Sequence, residues 1–277
     1  MDTLDQEQTV SAAADPAVDS QPLSLAAEET VSVLGVEVTD VSRHRAVELL
    51  REMIDARDGR TRDVYFVNTH TLNLSAGDST YREVLNAADC VFGDGTGVRW
   101  GARLKGVRLK DNLCGTDLVP MLLKQTATDR YRYFLLGGNE ETSYKAAQYA
   151  AATFNDWTQV GHHHGYVQDE TKAHKVIQMI NDAQPHVLLV GMGNPLQEQW
   201  IHKYRAELRV PLCIGVGGLF AYWAGTLQRA PKWLRHVGYE WLGILLQQPK
   251  KAKRYLLGNP LFLWRIAIDA CKHHGKS

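Results

Sequence analysis

Apolar runs that end in glycine or a polar residue, each leading into a helical repeat, limit this chain to few architectures. VYFVN (64–68), DCVF (89–92), YFLL (133–136), HVLLVGM (186–192) and PLCIGVG (211–217) lack the polar alternation of strands with one wet face. Unbroken hydrophobic strands belong to parallel sheets covered by helices on both sides. Helical periodicity is expected over 71–76, 79–88, 95–105, 116–126, 140–154, 170–183 and 195–208. VSVLGVEV (31–38) reads as a strand or hairpin, and 157–160 as a short strand. Ser42 can cap a helix carrying Ala46, Leu49, Leu50, Met53 and Ile54. The expected fold is therefore α/β, with a Rossmann-like, mostly parallel sheet and helices on both faces. In such sheets ligands bind beyond the carboxyl ends of the strands. Those ends carry Asn68, Gly93-Asp94-Gly95, Gly137-Gly138, Gly191 to Asn194 and Gly215 to Gly218, so this rim is the expected site.

The two ends of the chain differ from that body. Residues 1–29, rich in Ala, Asp, Glu, Ser and Gln, show little hydrophobic periodicity and read as a disordered acidic leader. The α/β domain is expected over 30–225, followed at 226–277 by a basic helical appendage that Pro231, Pro249 and Pro260 divide. Residues 229–277 hold ten Lys and Arg against Glu240 and Asp269, although the whole chain has zero formal net charge. That asymmetry points to a surface meeting phosphate or membrane. Nucleic acid is disfavoured, since Trp and Leu interleave with the cations at helical spacing and the total charge is zero. Cys90, Cys114, Cys213 and Cys271 lie far apart without a C-x-x-C pair, which fits a reducing compartment. The N-terminus lacks the pattern of a secretory signal. No run reaches the roughly 18 apolar residues of a spanning helix, so the chain is not expected to cross a membrane.

Within the rim, Asp94 is a carboxylate between glycines, reachable by a ligand and able to take a proton from an attacking hydroxyl. Its competing role is to cap the helix that follows. Gly137-Gly138-Asn139 and the 215–218 run can lay backbone N–H groups on a diphosphate, or can simply turn the chain. Asn194-Pro195 opens a helix with Asn194 as a candidate cap. Gln197 then faces the strand ends, where its amide reads sugar hydroxyls or is merely solvated. No D-x-D triplet is present to hold a metal, so a bound nucleotide sugar would need cationic side chains and helix dipoles on its diphosphate. His162, His163 and His164 on a strand point to alternate faces and do not converge on one ion, with one of them still a candidate for the pocket wall. The C-terminal cations suit a nucleic-acid patch, a phosphate clamp, a membrane-surface element or a plain helical cap.

Taken together, VNTHTLNLSAGDSTYREVLNAADCVFGDGTGVRWGARL (67–104), FLLGGNEET (134–142), VLLVGMGNPLQEQWI (187–201) and the stretch from Gly215 to Pro260 resemble the WecG/TagA/CpsF glycosyltransferases, glycosyltransferase family 26. The resemblance spans about Val33 to Trp264. It implies an inverting transfer of a hexosyl or N-acetylhexosaminyl group from a UDP-sugar to a polyprenyl-diphosphate-linked acceptor. The setting it implies is cell-surface polysaccharide synthesis (exopolysaccharide, teichoic acid linkage or common antigen), peripheral on the inner face of the cell membrane. By the same resemblance Asp94 is the catalytic base, Asn68 and Gln197 belong to the pocket, and Arg229, Arg235 and Arg254 occupy matching basic positions. The candidate binding set is Asn68, Thr69, Gly95, Gly137, Gly138, Gly193, Asn194, Gln197, Gly217, Gly218, Arg229 and Arg235, with no metal and no other cofactor. The implied partners are the UDP-sugar, the lipid-linked acceptor and an anionic membrane surface; homo-oligomerisation stays open. Phe66 and Ala221 depart from the mannosaminyltransferase pattern, so the donor sugar is not carried over. The rival reading is a non-catalytic nucleotide-sugar-binding or regulatory protein of the same fold.

Overall fold

The computed structural model describes residues 28–274 except 57, 232–233 and 235–239. Eight strands form one sheet in the order β1-β2-β4-β3-β8-β7-β5-β6. They are β1 (Thr30–Val33), β2 (Val36–Thr39), β3 (Arg62–Val67), β4 (Cys90–Gly93), β5 (Arg132–Gly137), β6 (Thr158–His163), β7 (Val187–Gly191) and β8 (Leu212–Gly215). Only the β1–β2 pair is antiparallel, so the 31–38 segment is a hairpin at one edge and the rest of the sheet is parallel. The unbroken apolar runs follow from burial on both faces. Val64 and Phe66 of β3 enter the core on one side, Tyr65 and Val67 the core on the other.

Helices α1 (Arg43–Asp55), α5 (Gly115–Gln125), α6 (Glu140–Thr153) and α9 (Leu219–Trp223) bury Leu50, Leu122, Ala146 and Phe220 on the first face. On the second lie α2 (Thr69–Gly77), α3 (Ser79–Asn86), α4 (Thr96–Leu104), α7 (Glu170–Ala183) and α8 (Leu196–Tyr204). Ser42 caps α1 as expected, its hydroxyl accepting the Arg45 N–H at 3.2 Å. The last strand expected at 157–160 instead runs to His163, because it follows β5 along the sheet edge.

Beyond α9 the described chain is helical: α10 (Glu240–Gln247), α11 (Ala252–Leu256) and α12 (Gly258–His274). α12 packs on α2 and α4. Its Phe262 and Ile266 are buried and join the second core, each burial contributing about 1.5–3 kcal/mol. The close approach depends on glycine in α4. A Cβ on Gly97 would lie 2.1 Å from Thr69 Cγ2, and one on Gly101 would lie 3.2 Å from Ile266. A turn further along, Lys105 Nζ pairs with Asp269 at 2.6 Å. The C-terminal helix is thus packed into the body of the molecule.

Candidate active site

The carboxyl ends of β3, β4, β7 and β8 open into a cleft of about 750 Å³, roofed by α10, α11 and the start of α12. Val67 stands opposite Gly93, so the next residues, Asn68 and Asp94, emerge side by side. The Asp94 N–H donates to Val67 O at 2.8 Å and fixes the strand end. Gly95 follows at φ +93°, a left-handed conformation suited to glycine, and donates its N–H to Asn112 Oδ1 at 2.7 Å. Helix α4 begins from Gly95, which has no side chain to cap it. Asn68 does cap a helix: its Oδ1 accepts the N–H groups of His70 and Thr71 at 3.0 and 3.2 Å. Only its NH₂ group is then left to donate to a ligand.

Asn68, Thr69, Asp94, Gly95, Gly138, Gly193, Asn194, Gln197, Gly217 and Gly218 all line the cleft. Phe66 and Ala221, which break the mannosaminyltransferase pattern, line it too. The structure engages several of these residues within the protein. The glycine loops were expected to offer N–H groups to a diphosphate. Instead Gly138 donates to Gly191 O at 3.1 Å, and Gly193 and Gly217 donate to Gln197 Oε1 at 3.3 and 2.9 Å. Gly137 is absent from the lining because it packs on β7, where a Cβ would sit 2.4 Å from Gly191 O. Asn194 caps nothing; Pro195 is the N-cap residue of α8, and the Asn194 amide donates to Glu198 Oε1 at 2.5 Å. Gln197 is buried and holds the two loops, so its amide is not solvated although it borders the cleft.

Arg229 was expected in the binding set. It instead forms a two-pronged pair with Asp117, at 3.0 and 3.3 Å, over the Tyr222 ring. Arg235 lies outside the described residues. None of His162, His163 and His164 lines the cleft, and among the described residues no group of three metal-ligating side chains was found.

Among the described residues the cations that line the cleft are Lys251 and Arg254, the first of which sequence reasoning missed. Burial, and then Arg254, lower the pKa of the Lys251 ammonium. Burial followed by these two cations pushes His70 down to about 4. Arg254 Nε is buried without a hydrogen-bond partner. Cations held close together, with desolvation and mutual repulsion unrelieved, are arranged for an anion. A signal was present: 251, 254–255, 259 and 262–263 recur every three to four residues, one face of a helical run.

The cleft sits where order reverses in the sheet, since the chain crosses from β4 to β5 on the far side of β3 and β8. Residues 31–276 match the Glycosyl transferase WecG/TagA/CpsF family. The chain belongs to this family. Similar proteins include the N-acetylglucosaminyldiphosphoundecaprenol N-acetyl-beta-D-mannosaminyltransferases of Staphylococcus aureus strains MW2 and MRSA252. Each is 30% identical over 239 residues, which cover 86% of this chain and 92% of the relative. The chain is accordingly a glycosyltransferase. No described helix of the transferase is long and apolar enough to cross a membrane.

Proposed function

We propose that the transferase moves a hexosyl or N-acetylhexosaminyl group from a UDP-sugar to a polyprenyl-diphosphate-linked acceptor, with inversion and with Asp94 as base. One observation carries this reading: Asp94 faces a cleft whose opposite wall holds Lys251 and Arg254. In this scheme the acceptor hydroxyl gives its proton to Asp94 while its oxygen attacks the anomeric carbon. The bond to the diphosphate breaks on the opposite side, and the leaving UDP takes that electron pair. Lys251 and Arg254 stabilise the added charge, the task that a metal performs in other transferases. The relatives' acceptor, N-acetylglucosaminyldiphosphoundecaprenol, supports a lipid diphosphate as the second substrate.

A lipid-linked substrate requires the cleft to approach a membrane, and the surface formed by the end of α11 and by α12 suits this. Leu257, Leu261, Trp264 and Ile268 are exposed at helical spacing, Trp264 by 63%, and Leu263 lines both surface and cleft. Trp100 of α4, 57% exposed, extends the same apolar lip from the Asp94 side. This amphipathic wall supports peripheral binding, which the proposal puts at the inner face of the membrane.

The test is mass spectrometry of products from a panel of UDP-sugars with a short-chain prenyl-diphosphate glycan, run with and without excess EDTA. A new glycosidic bond formed equally with chelator is the expected result. Sugar transfer that stops with EDTA and returns with Mg²⁺ or Mn²⁺ would falsify the metal-free scheme, and no transfer from any UDP-sugar would overturn the donor assignment.

A further inference from the structure

Beneath the glycine loops lies a network that the transfer chemistry does not use. Glu198, in the first turn of α8, has no exposed surface. Its Oε1 accepts Asn194 Nδ2 at 2.5 Å and Gln197 Nε2 at 2.7 Å, and its Oε2 accepts the Tyr81 hydroxyl at 3.1 Å. Tyr81 comes from α3 and does not touch the cleft. The influences on the Glu198 carboxyl are burial and these neutral donors, with no cation among them. A buried carboxyl compensated only by neutral donors is a poor way to gain stability. Its value here is geometric.

That geometry follows from one amide. Gln197 Oε1 must face the N–H groups of Gly193 and Gly217, which can only donate, and its NH₂ must face Glu198 Oε1. Both ends therefore fix one rotamer. The side chain fits because β8 ends in Gly215, where a Cβ would come within 3.0 Å of Gln197 Nε2. A single amide thus ties the loop after β7 to the loop after β8, and both loops line the cleft.

We infer that Glu198 is a positioning residue for the donor half of the cleft. It holds the Gln197 amide, and that amide sets the spacing of the 191–195 and 216–218 loops on which the nucleotide sugar rests. The inference relies on the UDP-sugar reading above, and its test separates the two.

Full-length Glu198→Gln and Glu198→Leu are compared with the parent protein by UDP binding in calorimetry and by amide exchange. Glutamine can accept from both amides through Oε1 and donate to the Tyr81 oxygen, so it should keep the UDP Kd within about threefold. Leucine leaves three buried donors unmatched and should weaken UDP binding by at least about tenfold. Exchange should then quicken at the Gly193 and Gly217 amides ahead of the central strands. If Glu198→Leu does not fold, Tyr81→Phe tests the same network from outside the cleft, with an expected loss in UDP affinity of about threefold. Unchanged affinity in the variant used overturns the inference, as does faster exchange spread evenly over the sheet. If the parent protein binds no UDP, the donor reading falls and exchange alone decides. Unaltered exchange at the two glycines then overturns the positioning role.

Discussion

At the glycine rim the N–H groups of Gly138, Gly193 and Gly217 and the side-chain NH₂ groups of Asn194 and Gln197 donate within the protein. The helical wall that faces it presents two crowded cations, one with a buried and unmatched Nε, beside an exposed apolar stripe. One side of the cleft is finished and supplies shape; the other is unfinished and supplies charge. Glycine-rich strand ends invite the view that backbone amides hold the diphosphate. Here Gly137, Gly191 and Gly215 allow close packing, while Gly95, Gly193 and Gly217 take positive φ with open space around them, and the cations beside the cleft stand on the C-terminal helices.

The largest effect expected is at Asp94, on the strand-end rim across from the cationic wall. Asp94→Asn should cut turnover by about 10² to 10⁴, the usual range for losing a general base, with UDP binding and fold retained. Steady-state kinetics alongside calorimetry measures this. Near-normal turnover would reduce Asp94 to part of the rim's architecture.

Glu198 tests how finished the rim is. Burial pushes its carboxyl up to about 7 from an ordinary 4.5. Below about pH 4.5 the group is protonated in both folded and unfolded chains, and the associated stability is fully present. As the pH rises towards 7 the unfolded chain ionises while burial keeps the folded carboxyl protonated, so stability falls across that window. The loss is at most about 3 kcal/mol. Glu198→Gln cannot ionise, so the parent protein's stability relative to the variant should decline between pH 4.5 and 7. Other carboxyls, Asp63 included, titrate in both proteins and cancel. Denaturant unfolding at a series of pH values gives the difference; a flat difference means that folding does not raise the Glu198 pKa.

Arg254→Ala addresses the unfinished wall. Losing one charge-assisted contact should weaken UDP binding by roughly 10- to 100-fold. Arg229→Ala should weaken it much less, because its guanidinium is engaged by Asp117. The reverse order would return the diphosphate to the region that the sequence alone suggested.

The contrast also marks what was legible in the chain. Parallel strands, their order of helices and the position of Asp94 could be read, because burial on both faces leaves continuous apolar runs and strand ends are local features. The role of each glycine could not, since Gly137 is required by Gly191 and Gly215 by Gln197, contacts made only in the folded molecule. Arg229 looked available because Asp117, its partner, lies 112 residues away. The Lys251–Arg254 face was periodic in the sequence, yet its direction depends on how α12 seats against Gly97 and Gly101.

The smallest effect expected separates charge from apolar burial on the outer surface of that wall. Lys253 is exposed on α11, and Trp264 stands on the apolar stripe of α12. If the wall meets anionic lipid, a cation near the surface contributes roughly 1 kcal/mol, or about fivefold in partitioning. Lys253→Gln should therefore lower flotation with anionic vesicles about fivefold at low salt, and the difference should fade as salt shortens the screening length. On neutral vesicles Lys253→Gln should match the parent protein. Trp264→Ser removes burial instead of charge, so its loss should persist at high salt and on both lipids. Flotation across salt and lipid composition distinguishes the two. Equal flotation of all three proteins in every condition would confine the wall to closing the cleft, leaving the acceptor to reach Asp94 without a docked membrane.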